Sequence, residues 1–265
     1  MKNERSLFSG LNEYFDNIYV ITLEGCDDRQ QSIQTHFAGL NYVFWPGTDK
    51  RKLDPNTLTD QASYDDQKHK RTKRTTRSMS LGEYACACSH RSIYQDVVTN
   101  GYARVLIFED DAIPRLDQIV DFEAKMATLP EDWDLVLFDY YDHQIPSFKT
   151  SLKKAIYTLY QKLHIANWHK VSPKLVSFLG MREYNYDFYH PGKLSGAHAY
   201  AVSNKAAKHY LEYQTPVILQ ADRIFYYYSE YCELKEFAMK VPMFARGEVS
   251  EISTIGVHNP ENKAF

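Results

Sequence analysis

The chain has 265 residues, 44% of them hydrophobic, which is enough for a sizeable core and one or two domains. A formal net charge of −3 excludes both a nucleic-acid binder working through bulk positive charge and an acidic tail protein. The four cysteines are too sparse for a disulfide framework, no run of about 18 apolar residues can cross a bilayer, and the opening MKNERSLFSGLNEYF lacks the apolar core of a secretory signal, so a reducing cytoplasm is the expected setting.

In chain order, NIYVIT (Asn17 to Thr22) is β-branched and aromatic and predicts a first strand. CDDRQQSIQTHF predicts a helix, with Asp27 or Asp28 at its start and Ile33 and Phe37 on one face. NYVFW (Asn41 to Trp45) predicts a second strand, stopped by Pro46 and Gly47. Strand, helix and strand in this order open an α/β domain. Residues 49–78 are polar and aperiodic and are expected to form a mobile loop. The loop ends in KHKRTKRTTR (Lys68 to Arg77), with six Lys/Arg and no acid, either a lid over bound phosphates or a solvated charge run.

SLGEYACACSHRSIYQDVVTNG is the clearest helix: Ser80 and Glu83 have capping-box spacing and Gly101 is its stop. Cys86 and Cys88, two apart on that helix, point away from each other and read as buried free thiols. RVLIF (Arg104 to Phe108) predicts a buried strand, LDQIVDFEAKMATL a helix, and DLVLFD (Asp134 to Asp139) another strand. GAHAYAVS (Gly196 to Ser203) predicts a strand and NKAAKHYLEY a helix. ADRIFYYYSEY is helix-like, and KVPMF (Lys240 to Phe244) is the expected last strand.

Residues 143–190 stand apart as a basic, partly amphipathic helical insertion. From 143 to 182 there are seven Lys/Arg and no acid, and Leu152, Ile156, Leu159 and Leu163 recur at helical spacing. That pattern suits an anionic membrane or an acidic partner, and equally an ordinary helix packed on the core beneath a lysine-coated face.

Glu109, Asp110 and Asp111 follow the buried RVLIF run directly. In open α/β sheets ligands bind beyond the carboxyl ends of strands. With extended geometry Glu109 and Asp111 would point one way and Asp110 the other. Two oxygen ligands on one side suit Mg²⁺ or Mn²⁺, and a cation would relieve their mutual repulsion. Carboxylates at the positive end of a following helix are the other reading.

Six blocks in order resemble the family-25 glycosyltransferases, which include bacterial lipooligosaccharide galactosyltransferases and collagen galactosyltransferases. They are YVITLEGCDDR (Tyr19 to Arg29), SMSLGEYACACSH (Ser78 to His90), the Glu109-Asp110-Asp111 triplet, WDLVLF (Trp133 to Phe138), SGAHAYAVSNKAA (Ser195 to Ala207) and LQADRIF (Leu219 to Phe225). Thr22, Ala85 and Gln220-Ala221 depart from the family's residues at their positions.

The resemblance implies a single glycosyltransferase domain over 1–265. Its fold would be α/β and GT-A-like, with a mixed, mostly parallel central sheet and the helical insertion. It implies inverting transfer of a hexose, galactose first, from a UDP-sugar. The implied acceptor is a lipid-linked or oligosaccharide surface glycan such as lipooligosaccharide, handled by a cytoplasmic bacterial enzyme peripheral on an anionic membrane. Asp111 and Glu109 are then ligands of Mn²⁺ or Mg²⁺, with His258 a third ligand or an exposed tail residue. Asp110 would touch ribose or sugar, and Thr22, Leu23 and Arg29 would hold the nucleotide, although Arg29 also reads as a surface residue. Ser89 and His90 line the donor site or simply pack in the core. Asp222 is the general base or a helix N-cap. A catalytically silent protein of the same fold, binding anionic glycan or membrane, is the competing reading. A glycoside hydrolase needs an opposed carboxyl pair, which three adjacent acids do not by themselves supply.

Overall fold

A computed structural model describes residues 7–141, 146, 148–196 and 198–247. The strands are β1 (Asn17–Thr22), β2 (Val43–Pro46), β3 (Arg104–Glu109), β4 (Ala112–Pro114), β5 (Leu135–Asp139), β6 (Arg182–Glu183), β7 (Phe188–His190), β8 (Ala199–Ser203), β9 (Glu236–Met239) and β10 (Phe244–Arg246). The helices are α1 (Ser9–Tyr14), α2 (Asp27–His36), α3 (Asp66–Lys73), α4 (Leu81–Asn100), α5 (Leu116–Ile119), α6 (Phe122–Met126), α7 (Phe148–Lys162), α8 (Pro173–Ser177), α9 (Asn204–Tyr213) and α10 (Arg223–Tyr228).

Eight strands form one mixed sheet in the order β2-β1-β3-β8-β5-β9-β7-β6, and β10 pairs with β4 beside it. β1 runs parallel to β2 and β3, β8 runs antiparallel between β3 and β5, and β5 is parallel to β9. This is the mixed, GT-A-like α/β architecture that the resemblance implies. The central strands read as unbroken apolar runs because both faces are covered. Alternation sorts them: Ile18, Val20, Leu106, Phe108, Val136 and Phe138 enter one core layer. Tyr19, Val105, Ile107, Leu135, Leu137 and Tyr200 enter the layer on the opposite face.

Two expectations change. Residues 49–78 were expected as an unstructured loop, yet they hold 3-10 turns at Lys50–Lys52 and Pro55–Thr59 and then α3. Aspartates do this locally. The carboxylates of Asp49, Asp54 and Asp65 accept the N–H groups of Arg51, Asn56 and Lys68 and start each turn. Buried Tyr64 and His69 then anchor the segment, with His69 Nδ1 2.8 Å from the Ile218 carbonyl. The expected strand at 240–244 is instead the connection between β9 and β10, with only Phe244 inside a strand.

Of the 143–190 insertion, α7 contributes no buried residue. Its apolar stripe faces outward, with Phe148 81% and Leu159 51% exposed, so this helix is not the ordinary core-packed one.

On β9, the Glu236 carboxyl accepts a hydrogen bond from the Tyr210 hydroxyl at 2.9 Å. Burial pushes its pKa up from 4.5 to about 8. A carboxyl raised by folding contributes fully below its unfolded pKa and loses that contribution as pH rises through the folded one. The melting temperature is therefore expected to fall as pH rises from 4.5 to about 8. Glu236→Gln should flatten that slope in thermal unfolding scans, and an unchanged slope would exclude Glu236 as its cause.

Candidate active site

β1, β2 and β3 are parallel, so their carboxyl ends open at one edge of the sheet. α4 packs across that edge, and its start is fixed by the sequence. Ser80 Oγ accepts the Glu83 N–H at 3.2 Å, and the Glu83 carboxylate accepts the Ser80 N–H at 2.8 Å. Gly101 stops the helix at φ 68°, a conformation glycine adopts without strain.

Between α4 and the strand ends lies a cavity of about 340 Å³. Thr22, Leu23, Arg29, Ser89, His90, Glu109 and Asp110 all line it, so seven residues singled out from the sequence meet in one place. Arg29 is not a loose surface residue: its Nη1 donates to Asp110 Oδ1 at 2.5 Å. Ser89 Oγ donates to the Ala85 carbonyl and accepts the Thr48 N–H at 2.8 Å, which shapes the cavity wall. His90 is both core and lining. One ring nitrogen lies 2.6 Å from the Tyr200 hydroxyl and the other lies 3.6 Å from Glu109.

The strict alternation expected of the acidic triplet ends with the strand. The chain leaves β3 at Glu109 into a turn, so Glu109 and Asp110 share the cavity while Asp111 reaches Arg246 Nε at 3.3 Å. Burial disfavours ionised Glu109, but His90, His198 and Arg246 outweigh it and hold the carboxyl at about 2. Asp111 shifts the other way, raised by burial and by the like charge of Glu109. Its Oδ1 is buried with no hydrogen-bond partner among the described residues. An orphaned carboxylate oxygen beside a second carboxylate fits a hard divalent cation, for which Asp111 and Glu109 would be the ligands. His258 lies outside the described residues.

Sequence reasoning missed several neighbours. Cys86 read as a plain buried thiol because it was paired with Cys88. The informative spacing is Cys86 to His90, one helical turn, which puts both on the face toward Glu109. The ligand atoms of Cys86, His90 and Glu109 lie within 4.8 Å of one another, a second arrangement able to take a metal. Burial, Glu109 and Asp222 push the Cys86 thiol well above its usual pKa. His198 and Asp139, 3.3 Å apart, sit behind the acids; both were visible as polar residues at the ends of apolar strands.

Asp222 stands at the start of α10, yet its side chain makes no capping hydrogen bond there. Its Oδ2 instead accepts the Gly196 N–H at 3.0 Å. Gly196 has φ +88°, and a Cβ there would lie 2.7 Å from the His198 ring. Ser195 and Arg223, the chain neighbours of this bonded pair, line a second cavity of about 440 Å³. Asp222 Oδ2 also lies 3.7 Å from Nε of Arg223, which lines that cavity, and its charge acts on Cys86 in the wall of the first.

The family profile described as Glycosyltransferase family 25 (LPS biosynthesis protein) matches residues 15–225. A glycosyltransferase 25 family member of Aedes aegypti is 31% identical over 135 residues, 46% of this chain and 21% of that protein. A probable inactive glycosyltransferase 25 family member 3 of Bos taurus is 30% identical over the same shares of each chain. The inactive family member 3 of Homo sapiens is 40% identical over 67 residues, 23% of this chain and 11% of that one. The chain therefore aligns with about a fifth or less of the length of these relatives. With the profile spanning most of its length, this chain belongs to glycosyltransferase family 25.

Proposed function

We propose that the chain is an inverting hexosyltransferase that moves a sugar, galactose first, from a UDP-sugar to a lipooligosaccharide or other surface-glycan acceptor. The observation that supports this reading is Asp222: a carboxylate that makes no cap hydrogen bond, lies beside Arg223 of the second cavity and acts by its charge on Cys86 of the first. The 340 Å³ cavity takes the donor, with Arg29 and Asp110 toward the nucleotide sugar and Thr22 and Leu23 beside the base and ribose. The acceptor hydroxyl enters from the other side. Its oxygen bonds to the anomeric carbon as the bond from that carbon to the diphosphate oxygen breaks. UDP leaves with the electron pair and the hydroxyl proton passes to Asp222. Mn²⁺ or Mg²⁺ held by Asp111 and Glu109 would supply charge stabilisation for the leaving diphosphate. The lysines and exposed apolar stripe of α7 suit a peripheral position on the inner face of an anionic membrane, close to a lipid-linked acceptor. Among the described residues no helix is long and apolar enough to cross a membrane.

The names of two relatives favour the second reading, a catalytically silent protein of this fold that binds anionic glycan or membrane. Thermal-shift titration of a UDP-sugar panel, with and without Mn²⁺, tests the donor site. One donor is expected to raise the melting temperature by several degrees only when Mn²⁺ is present. No shift with any donor would remove the donor assignment.

A further inference from the structure

The donor chemistry leaves unused the two basic segments that stand out in the sequence, and the fold brings them together. α3 and Arg74 form one wall of the 440 Å³ cavity; α7, the 3-10 turn Ile165–Lys170 and α8 form another. α10 supplies Arg223, Tyr226 and Tyr227. Seven Lys/Arg line this cavity against one carboxylate, Glu230. Arg71, Arg74, Lys153 and Lys170 are exposed and Lys73, Lys193 and Arg223 half-buried, and together they set up a positive potential that attracts an anion.

Arg223 Nε lies 3.7 Å from Asp222 Oδ2 and Lys73 Nζ donates to Gln220 Oε1 at 3.0 Å, while other cations of the cavity lie over aromatic rings. Lys193 Nζ stands 5.9 and 5.7 Å from the Tyr226 and Tyr227 ring centres and makes no hydrogen bond or ion pair among the described residues. Tyr157 and Trp168 stack at 4.0 Å, with Lys153 over the first and Arg74 over the second. An aromatic face positions a cation without neutralising it, so the positive potential stays available to a ligand. Burial and the nearby Arg223 lower the pKa values of Lys73 and Lys193 to about 8, as expected of cations lacking enough counter-charge.

We propose that this cavity is the acceptor subsite and that it takes an acidic oligosaccharide, one bearing phosphate or carboxylate groups. The acceptor role rests on the transferase reading above; the ligand class rests on the cavity alone. The anionic groups would sit among Arg74, Lys153 and Lys193 while a hydroxyl of the same saccharide reaches toward Asp222, which lies beside Arg223 in the cavity wall.

Calorimetric titration of the intact protein with lactose, sialyllactose, phosphorylated lactose, UDP and phosphatidylglycerol vesicles tests this. The two acidic saccharides are expected to bind at least about tenfold more tightly than lactose, because charge-assisted hydrogen bonds are the strong ones. Their binding should weaken by about tenfold or more in both Lys193→Gln and Arg74→Gln, and UDP should not displace them. Equal affinity for lactose and the acidic sugars would overturn the proposal. So would displacement by UDP, which would mark the donor site as the anion's source. Vesicle binding that both variants abolish, with no saccharide bound, would assign the cations to a membrane instead. Acidic saccharides bound by a protein that takes no UDP or UDP-sugar would overturn the acceptor role while leaving the ligand class standing.

Discussion

Asp222→Asn is expected to lower the transfer rate by about 10²- to 10⁴-fold, the usual range for loss of a general base, while donor affinity changes far less. The substitution suits this purpose because an amide oxygen can still accept the Gly196 N–H that holds the side chain in place. In α10 the carboxylate makes no cap and its one ion pair there is with Arg223 Nε at 3.7 Å, so a melting curve separates loss of the base from loss of that pair. Steady-state kinetics that separate kcat from KM, with a melting curve beside them, read the effect. A variant keeping more than about a tenth of wild-type kcat would remove Asp222 as the base.

Asp111→Asn is expected to act in opposite directions on stability and function. Without metal, Asp111 and Glu109 repel at a buried site, and burial raises Asp111 further. Neutralising Asp111 relieves that repulsion, although Arg246 loses its 3.3 Å partner. In a chelator the variant should therefore lose no more than about 1 kcal/mol of unfolding free energy relative to wild type. The stabilisation by saturating Mn²⁺, about 2.7 kcal/mol at a hundredfold excess over Kd, should vanish together with Mn²⁺-dependent donor binding. If Mn²⁺ still stabilises Asp111→Asn but fails to stabilise His90→Ala, the metal belongs to the Cys86, His90 and Glu109 group instead.

Local signals in the sequence carried the sheet and the cavity at its strand ends a long way. Apolar runs of four or five residues located β1, β3, β5 and β8, and the Ser80 and Glu83 box located the start of α4. Residues flanking strand ends are close in space whenever the strands are parallel neighbours, so Thr22 and Glu109 converge once β1 pairs with β3. Polar segments were less legible. Residues 49–78 fold through aspartate caps and one buried tyrosine, signals too local to register in a periodicity search. The second cavity was illegible because its walls come from segments far apart in the chain. Charge counts revealed both basic segments, but only tertiary packing sets Arg74 over Trp168. Asp222 shows the limit most plainly. Its position before an aromatic run is that of a helix cap, and only the bond to Gly196, 26 residues away, shows that its side chain turns elsewhere.

The central claim is that a donor cavity and an acceptor cavity meet at Asp222 for transfer. ¹H NMR of the wild-type protein with Mn²⁺, a binding UDP-sugar and an acidic saccharide reads it most directly. UDP release coupled to a new glycoside, with anomeric configuration opposite to that of the donor, is the expected result. Retained configuration, or a donor that binds tightly and is never consumed, would contradict it.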